Sequence, residues 1–92
     1  MGQVRATLTI HGRVQGVCFR MYTQERALNL GLTGWVRNTW GRTVEAVFEG
    51  EEADVRSMVR WCSGGPPHAE VGKVDADYSD ATGEFTDFRV TG

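Results

Sequence analysis

Val4-Arg5-Ala6-Thr7-Leu8-Thr9-Ile10-His11-Gly12, running into Arg13-Val14-Gln15-Gly16-Val17-Cys18-Phe19-Arg20, carries the reading of the fold. In the first nine residues Val4, Ala6, Leu8, Ile10 and Gly12 share one side; Arg5, Thr7, Thr9 and His11 share the other. Successive side chains of a strand point to opposite faces, so this segment predicts a strand with one buried face. His11 falls on the polar side and reads as a solvated strand histidine. A strand of this kind needs a second layer to cover its apolar face.

Downstream, the period changes. From Arg20 to about Leu30 the pattern is helical, with Phe19, Tyr22, Arg26, Leu30 and the Ala27-Leu28 pair inward or flanking. Gly31 supplies the left-handed residue that stops a helix. Thr33 to Trp40 is rich in β-branched and aromatic residues and predicts a second strand. Gly41-Arg42 turns the chain, and Thr43 to Glu49 returns with Val44, Ala46 and Phe48 on one face, which makes a hairpin. The second helix is the most regular element. Glu51, Glu52 and Asp54 crowd its first turn, where the helix dipole favours negative charge. Val55, Met58, Val59 and Cys62 follow with the spacing of a buried stripe, so Cys62 reads as a small core hydrophobe. Gly64-Gly65-Pro66-Pro67 ends it. Residues 70–79 predict a fourth strand, with Val74, Ala76 and Tyr78 alternating, and Phe85 to Val90 a short last one after a turn near Asp80–Glu84. This order predicts a single α+β domain over 1–92. Its architecture is a ferredoxin-like βαββαβ sandwich, two helices packed on one face of an antiparallel sheet, with a short extra C-terminal strand.

Composition narrows the function. Ninety-two residues suffice for one core, and 40% hydrophobic content is too high for a disordered chain. The net charge is −2 and the basic residues are scattered, which argues against non-specific nucleic-acid binding. No apolar run approaches the ~20 residues of a membrane span, and Met1 to Ala6 carries no signal-peptide core. Cys18, Cys62, His11 and His68 are isolated from one another in sequence, so neither a metal nor another cofactor is expected. Two cysteines do not make a disulfide scaffold, and a reducing cytoplasm is the expected location, with a monomer the expected state.

The segment between the first strand and first helix is the chemical feature. Glycines permit unusual backbone angles and close approach, and a helix N-terminus adds free N–H donors and partial positive charge. Arg20 sits near that terminus, where the dipole disfavours a cation unless an anion lies between. Its guanidinium fork can take two phosphate oxygens. The spacing matches neither the Walker nor the dinucleotide pattern, so on spacing alone an ordinary turn remains an equal reading.

The full string Ile10-His11-Gly12-Arg13-Val14-Gln15-Gly16-Val17-Cys18-Phe19-Arg20 resembles the first signature of the acylphosphatases. Gly34-Trp35-Val36-Arg37-Asn38, followed by Val44-Glu45 and Gly50, resembles the second. Gly65-Pro66-Pro67 and the aromatic-rich C-terminal strand fit as well, so the resemblance covers nearly the whole length. It implies hydrolysis of the carboxyl–phosphate bond of acyl phosphates, without a metal, to carboxylate and inorganic phosphate. It implies Arg20 and Asn38 as catalytic residues: Arg20 binds the phosphoryl group, and Asn38 positions the attacking water. It also implies that Val14, Gln15, Gly16, Val17, Cys18 and Phe19 supply backbone around the phosphate. The expected partner is a small-molecule acyl phosphate, with phosphate or sulfate as the bound anion, and neither nucleic acid nor membrane. On pattern alone Asn38 is a residue entering a turn; the resemblance favours the catalytic role. No catalytic role falls to Cys18.

The hairpin departs from the family pattern. Asn38-Thr39-Trp40-Gly41-Arg42 puts glycine one place early and Arg42 where that glycine belongs. Trp40 and Arg42 face the acyl side of a substrate or are exposed turn residues; exposed turn residues is the simpler reading. Two rivals remain: a binding module on the same fold, and a domain acting inside a larger maturation enzyme on carbamoyl phosphate.

Overall fold

The alternation of the first segment builds the centre of the molecule. In the computed structural model, which describes residues 2–92 and leaves Met1 outside, β1 (Gln3–Arg13) buries Ala6, Leu8 and Ile10 completely. It lies between β3 (Val44–Glu51) and β4 (Glu70–Asp80), antiparallel to both. β2 (Thr33–Asn38) pairs antiparallel with β3, and β5 (Phe88–Thr91) closes the edge. The sheet order is β4-β1-β3-β2-β5. The helices α1 (Phe19–Asn29) and α2 (Glu52–Gly64) cover the face that carries Ala6, Leu8, Ile10, Val44, Ala46 and Phe48. The fold is the expected ferredoxin-like α+β sandwich, with β3 inserted between β1 and β2. No helix among the described residues is long and apolar enough to cross a membrane.

Four expectations require correction. The sheet is mixed, because β5 runs parallel to β2. The chain leaves β4 at one edge, crosses the face opposite the helices, and reaches the far edge at Gly34, whose N–H donates to Asp87 O at 2.9 Å. That crossing reverses the strand direction. It also consumes 81–87, so the last strand begins at Phe88 rather than Phe85. β2 ends at Asn38 rather than Trp40, because the hairpin loop begins there and Trp40 is fully exposed at its tip. Finally, α1 turns Phe19, Thr23 and Ala27 inward and leaves Tyr22 and Leu28 exposed.

Thr23 is completely buried, and among the described residues its hydroxyl is the buried side-chain polar atom without a partner. A buried polar atom left unpaired costs on the order of 1–3 kcal/mol. Thr23→Val keeps the shape and removes the hydroxyl, so it should stabilise the domain by about 1 kcal/mol, or roughly 4–8 °C in Tm. Thermal unfolding followed by circular dichroism checks this, and a fall in Tm would mean that the hydroxyl is bonded in solution.

Candidate active site

The loop joining β1 to α1 is irregular because its residues forbid a regular path. Gly16 (φ 75°) and Cys18 (φ 60°) are both left-handed, with Val17 between them. Alternation of this kind turns successive N–H groups toward one side, the geometry of an anion-binding nest. Glycine adopts it freely; a cysteine there costs about 1 kcal/mol or more. Cys18 is the N-cap of α1, yet no side chain caps this end and no acidic residue sits in the first turn. Among the described residues the backbone N–H groups of Gln15, Gly16, Val17 and Cys18 find no acceptor. Four adjacent donors are therefore left bare, at the positive end of a helix dipole.

Arg20 follows in the first helical turn, half-buried, and donates from Nη1 to Gly92 O at 3.4 Å. It is paired with no carboxylate among the described residues. Asn38, the last residue of β2, lies opposite Val44. Its carboxamide makes no hydrogen bond among the described residues. Arg20, Asn38, Gly16 and Cys18 line one open cleft of about 510 Å³, ample for a small phosphorylated ligand. Val14 and Phe19, both buried, form its apolar floor, and Met21, Gln24 and Val90 complete the wall. Arg20 and Asn38 thus share a cleft with Val14, Gly16, Cys18 and Phe19 of the predicted loop, whereas Gln15 and Val17 do not line it.

Gln15 does more than the sequence suggested. Its Nε2 donates to Thr39 O at 3.0 Å and to Thr43 O at 2.9 Å. These are the two carbonyls at the base of the β2–β3 turn, which the Thr39 and Thr43 hydroxyls also bridge at 2.7 Å. One carboxamide therefore ties the loop of bare amides to the hairpin that presents Asn38. Met21, Gln24 and Val90 were also not singled out. Arg20 and Gln24 are one helical turn apart, a spacing that could have found Gln24.

The displaced glycine has a structural outcome. Thr39 N–H donates to Thr43 O at 3.0 Å and Arg42 N–H to Thr39 O at 3.3 Å, which leaves Trp40-Gly41-Arg42 as a three-residue hairpin loop. Such loops end on a left-handed residue, usually glycine, and Arg42 takes it with φ 66°. Asn38 keeps its strand position despite the changed turn.

The remaining titratable candidates lie elsewhere. His11 is on the sheet face opposite the helices, with Nε2 3.0 Å from Asp75 Oδ2. Cys62 is fully buried, and burial pushes its thiol well above the ordinary range. Among the described residues no three His, Cys, Asp or Glu side chains converge as a metal site.

Residues 6–90 match the acylphosphatase family model. The chain is 50% identical over 90 residues to the acylphosphatase of Pelotomaculum thermopropionicum, covering 98% of both chains. It is similar to the solved acylphosphatase of Coxiella burnetii, with 36% identity and a TM-score of 0.92, covering 98% of this chain and 94% of that one. A full-length HypF structure, phosphate- and nucleotide-bound, matches with 27% identity and a TM-score of 0.88; there the match takes in 98% of this chain but 12% of the other.

Proposed function

The chain belongs to the acylphosphatase family, hydrolases that act on acyl phosphates, and from that premise we propose a metal-free mechanism carried by the β1–α1 loop, Arg20 and Asn38. The observation that carries it is the row of four bare amides beside Arg20, with the unpartnered Asn38 carboxamide in the same cleft.

The loop amides and the Arg20 fork hold the equatorial phosphoryl oxygens, where charge gathers during transfer. The Asn38 carboxamide orients a water in line with the scissile bond. The water oxygen bonds to phosphorus, the phosphorus–oxygen bond to the acyl group breaks, and the carboxylate leaves with the electron pair. Its conjugate acid has a pKa of about 4, so it departs without a general acid. A phosphoryl oxygen of the substrate takes the water's proton. An alkyl phosphate, with its poorer leaving group, is a far weaker substrate. Inorganic phosphate or sulfate competes for the cradle. The free thiols of Cys18 and Cys62 fit a reducing cytoplasm, and sedimentation should return a monomer.

The test is hydrolysis of benzoyl phosphate with EDTA present, followed from pH 5 to 8 in the wild type and in His11→Ala. Turnover in EDTA with the same flat profile in both proteins is expected. A profile that steps with the imidazole, and loses the step in His11→Ala, would refute proton acceptance by substrate. A wild type that binds phosphate but is inert toward acyl phosphates would be an anion-binding module instead.

A further inference from the structure

A second depression, of about 570 Å³, is lined by Gly12, Arg13, Val14, Gln15, Gly16 and Arg42. It shares Val14 and Gly16 with the cleft that holds Arg20 and Asn38, so the two adjoin across the loop. The β1–β3 register, with Ile10 opposite Val44, carries Gly12 and Arg13 toward the turn that holds Arg42. No carboxylate lines this depression. Among the described residues Arg5, Arg37, Arg56 and Arg89 each pair with an acidic side chain; Arg13 and Arg42 do not, as Arg20, Arg26 and Arg60 do not, but Arg13 and Arg42 are the two that share this hollow. Two unneutralised guanidinium groups around one glycine-lined hollow form a focus of positive potential on a chain whose net charge is negative.

Arg42 also occupies its place against local preference. Its left-handed backbone is a strain that glycine would not incur, and Gly41 stands one residue away. Strain of this kind concentrates where a side chain is needed for a ligand.

We propose that Arg13 and Arg42 form a second anion subsite, which takes a carboxylate or phosphate carried on the acyl portion of the substrate. The inference rests on the acyl phosphate reading of the neighbouring cleft. The reacting phosphoryl group occupies the amide cradle, and the second charge of the same small molecule crosses Val14 and Gly16 into the basic hollow. The preferred substrate class is then an acyl phosphate whose acyl group is itself anionic. Guanidinium groups suit either oxyanion, since both present paired oxygens to the fork.

The experiment compares kcat/KM for succinyl phosphate, which bears a free carboxylate, with that for acetyl phosphate, which does not. Wild type should favour succinyl phosphate, and the preference should shrink as salt is raised. Arg42→Gly, which also relieves the turn, should lower the succinyl-to-acetyl ratio about tenfold, and Arg13→Gln should lower it similarly. Arg42→Lys keeps the charge and should retain most of the preference. If acetyl phosphate is hydrolysed but the ratio is unchanged in both Arg42→Gly and Arg13→Gln, the subsite is refuted and the catalytic reading survives. If those variants alter only how added sulfate affects acetyl phosphate turnover, the hollow binds free anions and the proposal also fails. A wild type inert toward both substrates overturns the catalytic reading and the subsite together.

Discussion

Arg20→Gln should lower kcat/KM for benzoyl phosphate by about a thousandfold or more, and Asn38→Ala by about a hundredfold or more, with both proteins still folded. The asymmetry follows from what each side chain does in the proposed mechanism. Arg20 neutralises charge on the phosphoryl oxygens in both ground and transition states, so its loss should raise KM and weaken inhibition by inorganic phosphate as well as lower kcat. Asn38 acts on the water, so its loss should fall on kcat and leave phosphate inhibition near the wild-type value. Neither change removes much structure. Arg20 makes one long hydrogen bond, at 3.4 Å, and the Asn38 side chain makes none among the described residues. A folded Arg20→Gln with wild-type turnover would end the assignment of the cradle. A folded Asn38→Ala with wild-type kcat would move the water to another residue of the cleft.

How much of this was legible in the sequence depended on how local each determinant is. The first strand and second helix were readable because a period of two and a stripe at i, i+3, i+4, i+7 are local signals, and the burial of Ala6, Leu8, Ile10, Val55, Met58 and Cys62 follows them. The inward face of α1 was not, because a threonine stands in the middle of its buried stripe while Tyr22 and Leu28, which look like core residues, point outward. Glycine placement and the helix start marked the loop and Arg20 as candidates but left an ordinary turn as an equal reading, and the resemblance decided between them. Asn38 enters as a candidate only through family resemblance, since a residue that ends a strand and one that lines a cleft look the same in a single sequence. The tether from Gln15 to Thr39 and Thr43 joins residues 24 and 28 positions apart, and nothing local announces it. The direction of β5 was hidden for the same reason: it depends on a long crossing pinned by an acid that the strand pattern assigns to the polar face.

That acid, Glu49, makes the second large expected effect one of stability. It is 3% exposed on the sheet face opposite the helices. Its carboxylate accepts from Arg5 Nε at 2.7 Å, from the Thr82 N–H at 3.0 Å and hydroxyl at 3.1 Å, and from the Gly83 N–H at 3.1 Å. Arg5 is held in turn by Glu84 and lies over the Phe85 ring. Glu49 thus pins the crossing that delivers β5 to its edge, where Phe88 stacks on Phe48 with ring centroids 5.4 Å apart. Burial pushes its carboxyl pKa up, but the hydrogen bonds from Thr82, Arg5 and Gly83 together outweigh it and hold the group below the ordinary glutamate range. Glu49→Gln should therefore destabilise the domain by about 2–3 kcal/mol at neutral pH, because charged acceptor bonds are lost and Arg5 keeps a buried face without its partner. For a domain of this size that is a fall in Tm of roughly 10–20 °C. The sign with pH follows from the depressed pKa. The contribution is complete above the unfolded value of about 4.3 and disappears as pH falls through the lower folded value, so the gap between wild type and variant should close on acidification. Thermal melts of both proteins from pH 7 to pH 3 read it directly, and a gap that stays constant down to pH 3 would mean that Glu49 holds the crossing by shape rather than by charge. Limited proteolysis separates the local effect from the global one. If Glu49 is the pin, Glu49→Gln should be cut first within residues 81–87, at temperatures where the four antiparallel strands still hold.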